Sequence, residues 1–86
     1  MHELSLALEV CRMAEVRVGR PALPKVRAVG LDVGDDAGIT VENLTFCLEA
    51  LLAAPPFGHA WPDVTRSAGD DLRLTYLEVD DGRPDD

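Results

Sequence analysis

The chain has few of the features that mark membrane proteins and nucleic-acid-binding proteins. No apolar run approaches the ~20 residues of a membrane span, and the first apolar stretch carries Glu3 and Glu9 where a signal peptide would be basic. Only 8 lysines and arginines stand against 16 acidic residues, and the net charge of −8 argues against a nucleic-acid surface. The sequence therefore predicts a cytoplasmic protein without a membrane or nucleic-acid partner.

Cysteine and histidine are also scarce. Cys11 and Cys47 stand far apart without a Cys-x-x-Cys pair, so neither a zinc ribbon nor a disulfide scaffold is indicated, and both are expected to pack as small core residues. The chain has no Gly-x-Ser-x-Gly motif, and only 2 histidines in all, neither near a nucleophile. We therefore expect a protein that is not an enzyme.

The length of 86 residues and a hydrophobic content of 47% indicate one small globular domain. The hydrophobic core of so small a domain is only marginally sufficient to stabilise the fold, and a partner or a second copy commonly adds stability. We expect a single α+β domain over residues 1–80, followed by a mobile acidic tail over 81–86. The sequence does not distinguish a monomer from a homodimer.

The first element is predicted to be a helix from Glu3 to about Val18, because apolar residues recur there at helical spacing. This helix is apolar over more than half its girth, so it is either sandwiched in the fold or presents a face to a partner. Gly19 is expected to end it, and Pro21 and Pro24 are expected to hold the following connection extended.

The remaining elements are predicted from alternation and capping. Residues 26–33 alternate as a strand, Thr40 caps a second amphipathic helix that ends before Pro55-Pro56, and residues 63–67 and 72–79 form two further strands. Turn residues at 68–71 favour a β-hairpin between the last two strands. The predicted fold class is α+β, with two helices packed on one face of a small three-stranded sheet in the order α-β-α-β-β.

The N-terminal tripeptide is the candidate metal site. The Met1 α-amine, the deprotonated His2 backbone nitrogen and the His2 imidazole can close two fused rings around Ni(II) or Cu(II). Glu3 is the nearest source of a fourth donor, through either its backbone nitrogen or its carboxylate. The first N–H groups of a helix have no intrahelical partner, so losing these amide protons breaks no helical hydrogen bond. By itself, however, a second-position histidine followed by a glutamate that complements the helix dipole also arises by chance.

Four segments in one order resemble the HypA/HybF family of nickel metallochaperones. They are MHELSLA at 1–7, VRAVGLDVG at 26–34, ENLTFCLE at 42–49 and LRLTYLEV at 72–79. The resemblance implies a protein that carries Ni(II) as transient cargo to a maturing [NiFe]-hydrogenase or urease, together with a nickel-handling GTPase. It also implies that His2 is the side-chain ligand and that Met1 and Glu3 contribute beside it.

One departure from the family pattern is large. Family members carry a zinc-binding lobe with two Cys-x-x-Cys pairs between the last two strands, whereas residues 68–71 join those strands directly here. No zinc is therefore expected. The departure supports an alternative hypothesis, an interaction module that docks on maturation partners or dimerises through its first helix without binding metal. His59 is kept as a candidate second ligand that the fold or a dimer would have to bring to His2.

Overall fold

The computed structural model describes residues 3–80, which form a three-stranded sheet with two helices on one face. The elements are α1 (Glu3–Val18), a 3-10 helix (Arg20–Lys25), β1 (Val26–Gly34), α2 (Val41–Leu52), β2 (Trp61–Ser67) and β3 (Leu72–Val79). The predicted α+β class and element order are confirmed, while the predicted acidic tail at 81–86 lies outside the described residues. No helix within residues 3–80 is long and apolar enough to cross a membrane.

The predicted hairpin between the last two strands is wrong. The strand order is β2-β1-β3, with β1 in the centre, parallel to β2 and antiparallel to β3. A strand that follows a crossover helix returns parallel to the strand before it, and α2 supplies that crossover between β1 and β2. The sheet is therefore mixed, and the two edge strands lie on opposite sides of β1.

The connection at 68–71 consequently passes over the end of β1 instead of forming a tight hairpin. The Gly34 N–H donates to the Asp71 carbonyl at 2.7 Å, and the Asp36 N–H donates to the Gly69 carbonyl at 2.8 Å. A Cβ at Gly34 would lie 2.6 Å from the carbonyl carbon of Gly69, far inside van der Waals contact. Glycine is required there because two backbone segments approach each other closely.

The hydrophobic core lies between the helices and one face of the sheet. Its central members are Ala7, Val10, Ala14, Val29, Leu31, Val33, Leu44, Leu48 and Leu52, each at most 1% exposed. These positions recur every three or four residues in the helices and every second residue in β1, as expected for elements that bury one face. No helix among residues 3–80 covers the opposite face of the sheet.

Two local predictions need correction. The prolines after α1 do not hold an extended connection, because residues Arg20–Lys25 form a 3-10 helix with a proline in its first turn, where the missing N–H costs no hydrogen bond. The strand expected at 63–67 begins earlier, at Trp61, because Trp61 and Pro62 continue the parallel register along β1. Gly19, with φ of 85°, follows the last residue of α1 as predicted.

Candidate metal site

Glu3 ties the start of α1 to the start of α2. The backbone N–H of Thr40 donates to Oε2 of Glu3 at 3.0 Å. Thr40 is the N-cap residue of α2, as predicted, but its own side chain makes no capping hydrogen bond. The carboxylate from the neighbouring helix therefore takes part in ordering this helix end. Nothing in the sequence pattern singles out that contact, since 37 positions separate the two residues.

This contact brings the N-terminal ends of two helices together. Each end carries a partial positive charge from the aligned peptide dipoles, which stabilises a carboxylate and disfavours a bare cation. A metal ion is compatible with such a position only when its ligands bring negative charge. Deprotonated backbone nitrogens and a carboxylate are donors of that kind.

Met1 and His2 of the predicted ligand set lie outside the described residues, and Glu3 is its one described member. Glu3 opens α1 and is partly exposed. Its contact with Thr40 fixes the end of the fold at which the N-terminal segment joins, which is the end where β1 finishes and α2 starts.

His59 lies at the other end of the fold. It immediately precedes Ala60, whose N–H donates at 2.9 Å to the carbonyl of Leu52, the last residue of α2. The 12 residues of α2 separate this end from Thr40, a length of about 18 Å at the usual helical rise. The fold of one chain therefore does not bring His59 to Glu3, and this candidate second ligand has no support within a monomer.

The two cysteines do not build a second metal site. Both are half-buried and pack against the core, as the sequence predicted. Burial raises the pKa of the Cys11 thiol, which disfavours the thiolate that a metal would need. Within residues 3–80, no group of three or more histidine, cysteine, aspartate or glutamate side chains is placed to hold a metal ion.

The uncovered face of the sheet carries a polar network that sequence reasoning missed. The Asp32 carboxylate accepts hydrogen bonds from Thr65, Ser67 and Arg73, which come from both edge strands. These bonds lower the pKa of Asp32, those from the two hydroxyls most. The network requires β1 to lie between β2 and β3. The predicted hairpin placed β2 directly beside β3 and therefore did not predict these contacts.

Tyr76 makes a second link across the same face. Its ring lies over Gly30, where any Cβ would collide with it, and its hydroxyl donates to Asp63 on β2. The hydrogen bond to Asp63 raises the pKa of the Tyr76 phenol most, and desolvation and the negative charges of Asp63 and Glu78 raise it further. The three strands are thus joined by side chains in two places.

The described part of the chain is a mixed three-stranded sheet under two helices, and the histidine of the candidate site stands one residue before α1 in the sequence. The family model described as "Hydrogenase/urease nickel incorporation, metallochaperone, hypA" matches residues 1–65 of the chain. The chain belongs to this HypA family, which confirms the resemblance and the prediction that it is not an enzyme.

Curated relatives carry the same name. The chain is 37% identical to "Hydrogenase maturation factor HypA" of Azotobacter chroococcum mcd 1 over 51 residues, which cover 59% of this chain and 45% of the relative. It is 36% identical to the protein of that name from Desulfatibacillum aliphaticivorans over 61 residues, covering 70% and 47%. The matches thus span about half the length of these relatives.

A solved structure shares the fold. The solution structure of the Ni metallochaperone HypA from Helicobacter pylori matches with a TM-score of 0.74, covering 92% of this chain and 97% of that chain. Because the sequence identity is only 14%, the match shows a shared fold and nothing more. It places the mixed sheet and its two helices within a known architecture.

Proposed function

We propose that the protein binds Ni(II) at its N-terminus and delivers it to a maturing nickel enzyme such as [NiFe]-hydrogenase. Met1 would supply its α-amine, His2 its deprotonated backbone nitrogen and its imidazole, and Glu3 a fourth donor. The observation that carries the proposal is the Glu3–Thr40 contact, which holds Glu3, the described member of the ligand set, at the start of α2. The family model described by nickel incorporation also includes these three positions.

The contact with Thr40 bears on which donor Glu3 would provide. Carboxylate Oε2 of Glu3 already accepts a backbone hydrogen bond. Ligation through the carboxylate would compete with that bond and weaken the link between α1 and α2. Ligation through the backbone nitrogen would leave it in place. We therefore favour the backbone nitrogen of Glu3 as the fourth donor.

A carrier must hold its metal and then release it. Nitrogens from one short terminal segment, completed by an exchangeable fourth donor, suit release better than a closed cage of side chains would. We propose that the recipient is a hydrogenase large subunit or urease and that a nickel-handling GTPase takes part, without zinc and in the cytoplasm. The relatives' name, "Hydrogenase maturation factor HypA", supports the first of these recipients.

The test is titration of the untagged protein with Ni(II), Met1 intact, by calorimetry and by the absorption of a square-planar nickel site. The decisive variant is His2→Ala. His59→Ala is the matched control, because it removes the other of the 2 histidines from the far end of the fold. The proposal expects one equivalent bound by the wild type and by His59→Ala, and none by His2→Ala. Equal binding in all three would contradict it.

The second candidate function is an interaction module that docks on maturation partners without binding metal. The outward side of α1 favours it, because Leu4, Leu8 and Val16 are each more than half exposed. The direct connection at 68–71 also closes the sheet with its own backbone hydrogen bonds. Under this alternative, His2→Ala would leave maturation of the target enzyme intact, whereas Leu8→Asp would abolish it.

We also propose that residues 1–80 act as one unit, with the acidic residues 81–86 outside it. One hydrophobic core connects both helices and all three strands of the described part, which supports this division. Limited proteolysis would test it, since cleavage is expected after residue 80 and not between the elements.

A further inference from the structure

The uncovered face of the sheet is a surface that the proposed nickel chemistry does not use. We call it the open face and define it by the residues that the strand register places in three rows. The rows are Trp61, Ala28 and Glu78; then Asp63, Gly30 and Tyr76; then Thr65, Asp32 and Arg73. Each row thus contributes one residue from β2, β1 and β3 in that order.

Each of the first two rows carries one exposed aromatic side chain. The Trp61 side chain is 60% exposed and Tyr76 is 41% exposed, whereas Ala28 between the strands is only 5% exposed. Trp61 is not needed for the core, because Phe57 and the aliphatic side chains fill it on the other face of the sheet. A tryptophan on an outer face exposes apolar surface without stabilising the chain's own core. Together with Tyr76 on the same face, it leaves aromatic surface available to a partner.

The two arginines near these aromatic groups form ion pairs, whereas two nearby carboxylates form none with residues 3–80. Arg73 is paired with Asp32 at 3.2 Å, and Arg27, which precedes Ala28, is paired with Asp80 at 3.0 Å. Asp63 receives only the neutral Tyr76 hydroxyl among the hydrogen bonds of the described residues. Glu78, opposite Trp61 across Ala28, makes no ion pair with any residue in the range 3–80.

We propose that the open face binds a cationic segment of a protein partner, with an arginine or lysine side chain stacked on Trp61 and its charge placed between Glu78 and Asp63. Aromatic faces attract guanidinium and ammonium groups, and the two carboxylates add charge complementarity. A second copy of this chain does not fit, because it would set the same carboxylates against each other on a chain of net charge −8. Binding of a cationic segment to the open face does not require Ni(II).

The test is an NMR titration at low salt with a hexapeptide of alternating glycine and arginine, using a glycine–aspartate hexapeptide as the control ligand. Shift changes are expected at the Trp61 indole N–H and at Ala28, Asp63, Tyr76 and Glu78. Changes of equal size at the acidic loop residues Asp35 and Asp70 would overturn the proposal, because they would show attraction to net charge alone.

Two matched pairs of variants sharpen the test. Trp61→Ala is compared with Phe46→Ala, since Phe46 is the exposed aromatic residue of α2 on the other side of the sheet. Glu78→Gln is compared with Glu49→Gln on α2 in the same way. Trp61→Ala and Glu78→Gln are each expected to weaken binding of the arginine peptide by about two- to fivefold.

The two α2 variants are expected to bind the peptide as the wild type does. Equal affinity in all four variants would overturn the proposal. So would sedimentation showing a dimer that Trp61→Ala dissociates, because the occupant would then be a second copy. Neither result depends on Ni(II), so the outcome is independent of the proposed nickel function.

Discussion

Replacing Glu3 with alanine removes the carboxylate that accepts the Thr40 N–H at 3.0 Å. A hydrogen bond to a charged acceptor contributes about 1.5–3 kcal/mol, and the low end applies here because water replaces the lost acceptor at an exposed backbone N–H. The interaction of the Glu3 charge with the helix dipole of α2 accounts for about 0.3–1 kcal/mol of this stabilisation. We expect Glu3→Ala to lower the free energy of unfolding by about 1–2 kcal/mol, which is roughly 5–10 °C in Tm for a domain of this size.

Glu3→Gln separates the hydrogen bond from the charge, since the glutamine side-chain oxygen still accepts the Thr40 N–H. The charge is lost, and with it the favourable interaction with the helix dipole, so we expect a smaller decrease than in Glu3→Ala, about 0.3–1 kcal/mol. Urea unfolding gives the two free energies, and hydrogen exchange at the Thr40 amide reports the contact itself. If Glu3→Ala leaves both the stability and the Thr40 amide exchange of the wild type unchanged, the anchoring role assigned to Glu3 is wrong.

The same variants distinguish the two donors that Glu3 offers to nickel. Glu3→Ala retains the backbone nitrogen, so a site using that nitrogen keeps its one equivalent of Ni(II) and its square-planar absorption. A site using the carboxylate loses the fourth donor in Glu3→Ala. We expect binding to be retained, and loss of the absorption in Glu3→Ala but not in the wild type would show that the carboxylate is the ligand.

Three further predictions concern the sheet. Gly34→Ala is expected to destabilise the protein by about 1–3 kcal/mol, because the new methyl group meets the Gly69 backbone; an unchanged Tm would refute the tight crossing. Asp32→Asn should cost stability at neutral pH, but this cost should shrink as the pH falls through the lowered pKa of Asp32, below its ordinary 3.8; thermal unfolding at a series of pH values checks this. The Tyr76 phenol should ionise above its ordinary pKa of 10.0 in an absorbance titration, and Asp63→Asn should bring its pKa back toward that value.

The element types were predictable because local periodicity determines them. The apolar spacing in α1 and α2 and the alternation in β3 give nearly the observed bounds, since each element buries one face. The strand order was not predictable from the same signal. A turn-rich segment at 68–71 is compatible with a hairpin and with a crossing over the end of β1, and only the pairing of β1 with both neighbours distinguishes the two.

The candidate site also has a part that could be predicted from the sequence and a part that could not. The Met1-His2-Glu3 motif was visible in the sequence because its chemistry lies in three consecutive residues, and its role as the nickel ligand set remains a prediction. The Thr40 contact was not visible, because it joins two helix ends that only the folded core brings together. The exposure of Trp61 could not be predicted, since alternation gives the face of a residue only once the strand limits are known and the predicted strand began at residue 63.

The most direct test of the central claim is the nickel stoichiometry of His2→Ala beside that of His59→Ala. The account predicts that His59→Ala binds one equivalent with the absorption of a square-planar site and that His2→Ala binds none. Binding of Ni(II) by His2→Ala with wild-type stoichiometry and affinity would contradict it, and the open face and outward side of α1 would then define a protein that acts by docking alone.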